Sequence, residues 1–213
     1  MKSKKYFLVG ICTLVAFVLW TVLLILVDVE SIGPNGSSVG FSTINGFFQE
    51  LIGVNMTLYI ITDWLGLVPI FVALCFAILG LVQLVKRKSF LKVDRSILAL
   101  GGFYIAVIFV YVLFEFVVIN CRPVLINGYL ETSYPSSTTM LVMCVMPTAI
   151  MQLNQRLKSE YLRWCVSYAI IAFTAVMVVG RLISGVHWFT DIIGGALIST
   201  SLVALYKQIA KGH

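Results

Sequence analysis

Histidine is rare in this chain. His187 and the terminal His213 are the only two, and Asp191 stands four residues after His187, at the start of a long apolar run. If that run is helical, positions i and i+4 share a face, so the carboxylate can reach the imidazole. A carboxylate on one ring nitrogen fixes the tautomer and makes the other nitrogen a better nucleophile or base. Arg181, six residues upstream of His187, offers a planar fork of donors suited to phosphate or carboxylate. A helix-start His–Asp pair beside a snorkelling arginine has the same spacing. The choice between chemistry and packing rests on where the surrounding elements place the three residues.

Those elements are membrane spans. The chain has 213 residues, of which 60% are hydrophobic and 11% charged, with a mean hydropathy of +1.02. Soluble domains do not have this composition. Several apolar runs of about twenty residues follow one another, each long enough to cross ~30 Å of hydrocarbon. The reading is an all-α, polytopic membrane protein: one bundle of six transmembrane helices forming a single domain over residues 1–213, with no repeat and no linker. The first run follows Lys2, Lys4 and Lys5 like a signal peptide. It is too long for one and lacks a small-residue cleavage site, so it reads as a retained span.

The six spans run roughly over 6–27, 57–85, 97–119, 136–153, a fifth ending near Val179, and 188–206. Pro147 predicts a kink in the fourth. Between the first two spans, Phe41, Ile44, Phe47 or Phe48, and Leu51 recur at helical spacing. They mark a short amphipathic helix that either lies in the interface or packs on the bundle. Cys12, Cys75, Cys144 and Cys165 lie within spans and Cys121 outside them. No pair has metal-ligand spacing, and all read as packing residues.

The net charge of +6 is no nucleic-acid footprint. Thirteen of the fifteen Lys and Arg residues fall at the N-terminus, the two links after spans two and four, and the C-terminus. In a six-span chain these share one side, which the positive-inside rule makes cytoplasmic, together with both termini. Only Arg122 and Arg181 fall on the other side. There they join His187, Asp191 and the start of span four at Ser136. Free N–H groups at a helix start bind anions, and Ser136, Ser137, Thr138 and Thr139 add hydroxyls. The cluster reads as a phosphate site on the non-cytoplasmic face. Asp63, in the first turns of span two, falls on the same side. An intramembrane acid is a functional candidate, but at this depth it can also reach the interface or cap a neighbouring helix.

Taken in order, these residues resemble the type 2 phosphatidic acid phosphatase superfamily of six-helix membrane lipid phosphatases. Its signatures are K-x6-R-P, P-S-G-H and S-R-x5-H-x3-D. Here they stand as Glu115 followed six residues later by Arg122-Pro123, as Pro135-Ser136-Ser137-Thr138, and as Gly180-Arg181, five residues, His187, three residues, Asp191. The resemblance implies that His187 is the nucleophile taking the phosphoryl group and that Asp191 orients it. It implies that Arg122, Arg181, Ser136 and the backbone at Ser137 hold the phosphate oxygens. No metal or other cofactor is implied. The implied partners are a membrane lipid phosphate or diphosphate and the bilayer itself. The implied location is a multi-pass position in a cell membrane, in keeping with a bacterial plasma membrane.

Two positions depart from the pattern. Thr138 replaces the histidine that protonates the leaving group, and loss of a general acid typically costs ~10²–10⁴ in rate. Glu115 replaces a phosphate-binding lysine. It pairs with Arg122, Arg181 or an outer-end hydroxyl, or else it substitutes for the lost acid, a role also open to Glu131 and Tyr134. Three readings follow: an active phosphatase with a substitute acid or water, a catalytically impaired homologue that binds or transports a phosphorylated lipid, and a structural subunit without a ligand. The last leaves Arg181, His187 and Asp191 unexplained. Because phosphate leaves more readily than an alkoxide, a site without the acid should favour a polyprenyl diphosphate over phosphatidic acid.

Overall fold

In hydrocarbon every backbone N–H and C=O must be satisfied within the protein, so long apolar runs become helices. The computed structural model describes residues 2–211; the terminal His213 lies outside the described residues. Eight α-helices are present: α1 (Lys2–Leu26), α2 (Ser42–Ile52), α3 (Met56–Leu65), α4 (Leu67–Arg87), α5 (Arg95–Phe116), α6 (Ser137–Arg156), α7 (Glu160–Ile183) and α8 (Phe189–Lys211). Among the described residues the only β pairing is in isolated bridges.

Among the described residues, five helical segments are long and apolar enough to cross a membrane: Lys4–Leu26, Met56–Arg87, Arg95–Phe116, Glu160–Ile183 and Phe189–Ala210. The expected fourth span is α6, a more polar helix. Its Thr139, Thr148 and Gln152 are fully buried. Two of them are satisfied by protein: Gln152 donates to the Tyr206 hydroxyl (2.7 Å) and the Ser96 carbonyl (3.1 Å), and the Thr148 hydroxyl returns to Val145 O (2.8 Å). The helix continues through Pro147.

The expected second span is broken. Gly66 ends α3 and begins α4. Pro69, in the first turn of α4, has no N–H to offer the preceding turn. The break lets α3 pack against α7 while α4 packs against α5 and α6.

α1 lies along α8, and α6 packs against both α7 and α8. The first contact is close: a Cβ on Gly10 would sit 2.7 Å from the Leu205 side chain, and the Ser201 hydroxyl donates to Gly10 O at 2.8 Å. Small residues at such crossings let backbones approach. The core gathers Phe17 and Leu24 of α1, Leu100 and Phe103 of α5, Met140 and Cys144 of α6, and Ile198 of α8. Cys144 is the buried cysteine; Cys12, Cys75 and Cys165 face outward, and all five are unbridged.

The two ends of the bundle differ in charge. At one end Asp94 accepts from Gln83 (2.7 Å) and Arg87 (2.9 Å) and stands 4.0 Å from Arg156. The other end carries α2, which is docked rather than free. Asn45 is fully buried. It donates to Gly40 O (2.8 Å) and Thr190 Oγ1 (2.9 Å) and accepts from Thr190 N (3.2 Å). Phe48 stacks on Phe189 with ring centroids 4.2 Å apart, and Asp28 caps α2 through Ser42 and Thr43. Asn45→Ala leaves a buried N–H and a buried carbonyl unpaired, which should cost about 2–4 kcal/mol. Thermal unfolding in detergent checks this, and an unchanged midpoint would show that α2 does not depend on the contact.

Candidate functional site

Between α5 and α6 the chain makes a narrow hairpin-like loop. Ile126 and Tyr129 exchange backbone hydrogen bonds (3.0 and 2.9 Å) around Asn127-Gly128, both at positive φ. Asn-Gly is the strongest short hairpin signal. Further down, Arg122 N donates to Glu131 O (2.9 Å) and Ser133 N to Asn120 O (2.9 Å). Arg122 and Glu131 therefore stand opposite each other, and Arg122 Nε donates to Glu131 Oε2 at 2.9 Å.

The α7–α8 connection is tighter still. Gly185 has φ +68°, and a Cβ there would sit 1.8 Å from Gly53 O; only glycine fits both the dihedral and the space. Asn55 N donates to Ser184 O (2.9 Å), and Gln49 Nε2 to Gly185 O (3.2 Å). His187 lies in this connection, two residues before α8. Asp191 is the third residue of α8, and its Oδ2 accepts from Trp188 N at 2.9 Å, the reach-back of a capping box. The Trp188 indole donates to Cys121 O (2.7 Å), tying this turn to the hairpin.

The expected constellation assembles. Arg122 Nη1 is 3.1 Å and Arg181 Nη2 3.3 Å from His187 Nε2. His187 Nδ1 is 3.6 Å from Asp191 Oδ2. His187, Asp191 and Arg181 are 3%, 0% and 1% exposed. Guanidinium nitrogens only donate, so Nε2 bears the lone pair and Nδ1 the proton, facing Asp191. This tautomer is assigned from the network of donors and acceptors. Ser133 interacts with both His187 and Asp191, and Asn120 with Asp191; the Nδ1–Oδ2 separation exceeds a hydrogen bond. Such contacts tighten when substrate is present. Burial, then the adjacent Arg122 and Arg181 charges, holds the His187 pKa well below the ordinary histidine range. The arrangement can seat a tetrahedral oxyanion between two arginine forks and against a nitrogen lone pair.

Three residues of α3 complete it. Arg181 Nη1 is 3.4 Å from Thr62 Oγ1 and 3.7 Å from Asp63 Oδ1. The Arg181 and Arg122 guanidiniums lie over the Tyr59 ring at 4.9 and 5.8 Å. Asp63 therefore lies within ion-pair distance of Arg181 while its side chain stays 60% exposed. Tyr59 and Thr62 carried no sequence signal beyond their i, i+3 and i+4 relation to Asp63.

The other expected residues separate. A cavity of about 450 Å³ is lined by His187, Arg122, Glu115, Glu131, Ser133 and Ser137, among others. Ser136 is fully buried: its hydroxyl accepts from Thr139 N (3.5 Å) and its N–H donates to Asp191 O (3.0 Å), so it caps α6 and ties it to α8. Thr138 lines a second, mostly apolar cavity of about 680 Å³ with Asp63, Leu67 and Tyr104; Tyr111, Ser137 and Met140 border both. Glu115 accepts from the Thr132 hydroxyl at 3.4 Å, the outer-end hydroxyl among its expected partners. Tyr134 bonds Thr21 at 2.7 Å, and burial pushes its phenol pKa up. No group of three or more His, Cys, Asp or Glu among the described residues is placed to hold a metal.

Buried arginines thus surround a histidine at one end of a helical bundle whose segments are long and apolar enough to cross a membrane. The family model of the PAP2 superfamily matches residues 96–212, more than half of the chain, and the protein belongs to that superfamily. The fold is similar to the crystal structure described as the first transmembrane PAP2-type phosphatidylglycerolphosphate phosphatase, from Bacillus subtilis. That likeness has a TM-score of 0.63 at 19% identity and covers 93% of this chain and 94% of the other. No curated protein matches.

With His213→Ala, His187 is the only histidine left. Its ¹⁵N resonances at pH 6.0 should be those of a neutral ring protonated at Nδ1. A protonated ring at that pH would contradict the geometry.

Proposed function

We propose that the protein is a lipid phosphatase acting through a phosphohistidine on the non-cytoplasmic face of the membrane. The superfamily and the fold support a membrane lipid phosphatase. The observation that carries the finer reading is the His187 Nε2 lone pair, held between the Arg122 and Arg181 guanidiniums and backed by Asp191. Phosphoryl transfer is mostly positioning and charge stabilisation, which is what this group offers. Nε2 forms a bond to phosphorus as the bond to the leaving oxygen breaks. The arginines carry the equatorial oxygens with the first turn of α6 at Ser137, and Ser136 acts by capping that turn. Nδ1 keeps its proton toward Asp191. Water then cleaves the N–P bond, releasing phosphate and restoring the imidazole.

Six spans, counting α6, put both termini in the cytoplasm, with residues 1–213 acting as a single domain in a bacterial plasma membrane. The clustering of basic side chains at the end opposite His187 supports that orientation. The substrate is a membrane lipid phosphate or diphosphate. Of the expected substitutes for the acid histidine, Tyr134 is engaged by Thr21 and Glu131 by Arg122. Glu115 has the long contact from Thr132 and an interaction with Tyr111, and no ion pair among the described residues. A second reading, an impaired homologue that binds or transports a phosphorylated lipid, is favoured by Thr138, which lines the apolar cavity and brings no acid to the site.

Purified protein in detergent should release phosphate from a polyprenyl diphosphate faster than from phosphatidic acid, since only the alkoxide needs a donated proton. His187→Ala should abolish release from both. Folded wild-type protein that binds these lipids and releases no phosphate would establish the binding reading. A faster monoester would overturn the leaving-group argument.

A further inference from the structure

The two arginines at His187 are held in the same way. Arg122 gives Nε to Glu131 (2.9 Å) and turns Nη1 toward His187 Nε2 (3.1 Å). Arg181 Nη1 donates to Thr62 Oγ1 (3.4 Å) and stands 3.7 Å from Asp63 Oδ1, an ion-pair contact longer than a hydrogen bond, while Nη2 turns toward the same nitrogen (3.3 Å). A guanidinium is planar and rigid, so fixing one nitrogen fixes the direction of the others. Tyr59, one turn before Asp63, lies under both forks and adds a cation–π contact to each. The like charges of Arg122 and Arg181 otherwise repel.

We propose that α3 is a positioning element for phosphoryl transfer, in which Asp63, with Tyr59 and Thr62, aims Arg181 Nη2 at the oxyanion beside His187. The proposal rests on the phosphatase reading. It assigns a role to residues 59–63, outside the 96–212 segment that the family model matches. Asp63 and a bound oxyanion use different nitrogens of Arg181, so the carboxylate aims the fork and does not compete with the ligand. α3, which ends at Gly66, packs against α7. There Thr62 approaches so closely that a Cβ on Gly180 would sit 2.8 Å from Thr62 Cγ2. Asp63 touches neither His187 nor the reacting atoms, so it acts through Arg181.

The test compares wild type, Asp63→Asn and Asp63→Glu in detergent, measuring phosphate-release kinetics and inhibition by orthovanadate, a mimic of the phosphoryl transition state. Asp63→Asn should lower kcat about 10- to 100-fold, as small misplacements do, with little change in KM. The vanadate inhibition constant should rise in parallel, and Asp63→Glu should recover most of the loss. Tighter vanadate inhibition or faster release in Asp63→Asn would show a competing carboxylate and overturn the proposal. Unchanged constants would overturn it too, as would an equal loss in both variants with lowered thermal midpoints. A wild-type protein that releases no phosphate would instead overturn the phosphatase reading. Vanadate binding, followed through the His187 resonances, then decides the positioning role: equal affinity in wild type and Asp63→Asn, or no binding by wild type, overturns it.

Discussion

Two guanidiniums of like charge converge on one neutral imidazole nitrogen inside an apolar bundle. Such an arrangement is unstable unless every charge has a partner, because a buried ion loses its hydration and a second like charge repels it. The surrounding structure answers that constraint. Glu131 meets Arg122, Asp63 meets Arg181, and Asp191 stands behind the imidazole. Each carboxylate comes from a different element: the hairpin before α6, the half-helix α3 and the first turn of α8. The three elements have to meet at one point, and the fold is arranged so that they do.

How they meet is a matter of short, well-satisfied contacts. The Trp188 indole ties the α8 start to Cys121, Ser136 N–H ties α6 to Asp191 O, and Asn45 with Gln49 anchors α2 over the α7–α8 connection. Gly185 lets that connection pass against Gly53. These groups lie at the bundle end away from the Asp94, Arg87 and Arg156 network. One end therefore gathers the His187 cluster, while the other carries the Asp94, Arg87 and Arg156 charges. The greasy flanks, with residues such as Phe71, Ile105 and Trp164 exposed, belong to lipid.

Much of this was legible in the residues themselves. Apolar length marked the helices, and the Arg181, His187 and Asp191 spacing, with Arg122, marked the site. The His–Asp pair forms differently from a helical i, i+4 pair: His187 precedes α8 and Asp191 turns back to cap it. Ser136, expected at the phosphate, is a buried cap of α6; a serine before a helix can bond its own first turn as readily as a ligand. The placement of α3 is obscured by a continuous apolar run in which Gly66 and Pro69 are the only signs of a break. The hairpin that pairs Arg122 with Glu131 was signalled by Asn127-Gly128, a turn signal easily passed over in a long loop. Long-range pairings such as Tyr59 with two arginines left no trace in spacing, since they depend on how α3 and α7 cross.

The account stands or falls on the bond between phosphorus and His187 Nε2. The most direct measurement is a rapid acid-free quench of the protein with a ³²P-labelled lipid diphosphate, followed by mapping of the label. The account predicts base-stable, acid-labile label on the peptide containing His187, formed and lost on the time scale of turnover. Phosphate release with no label ever found on that histidine would contradict it.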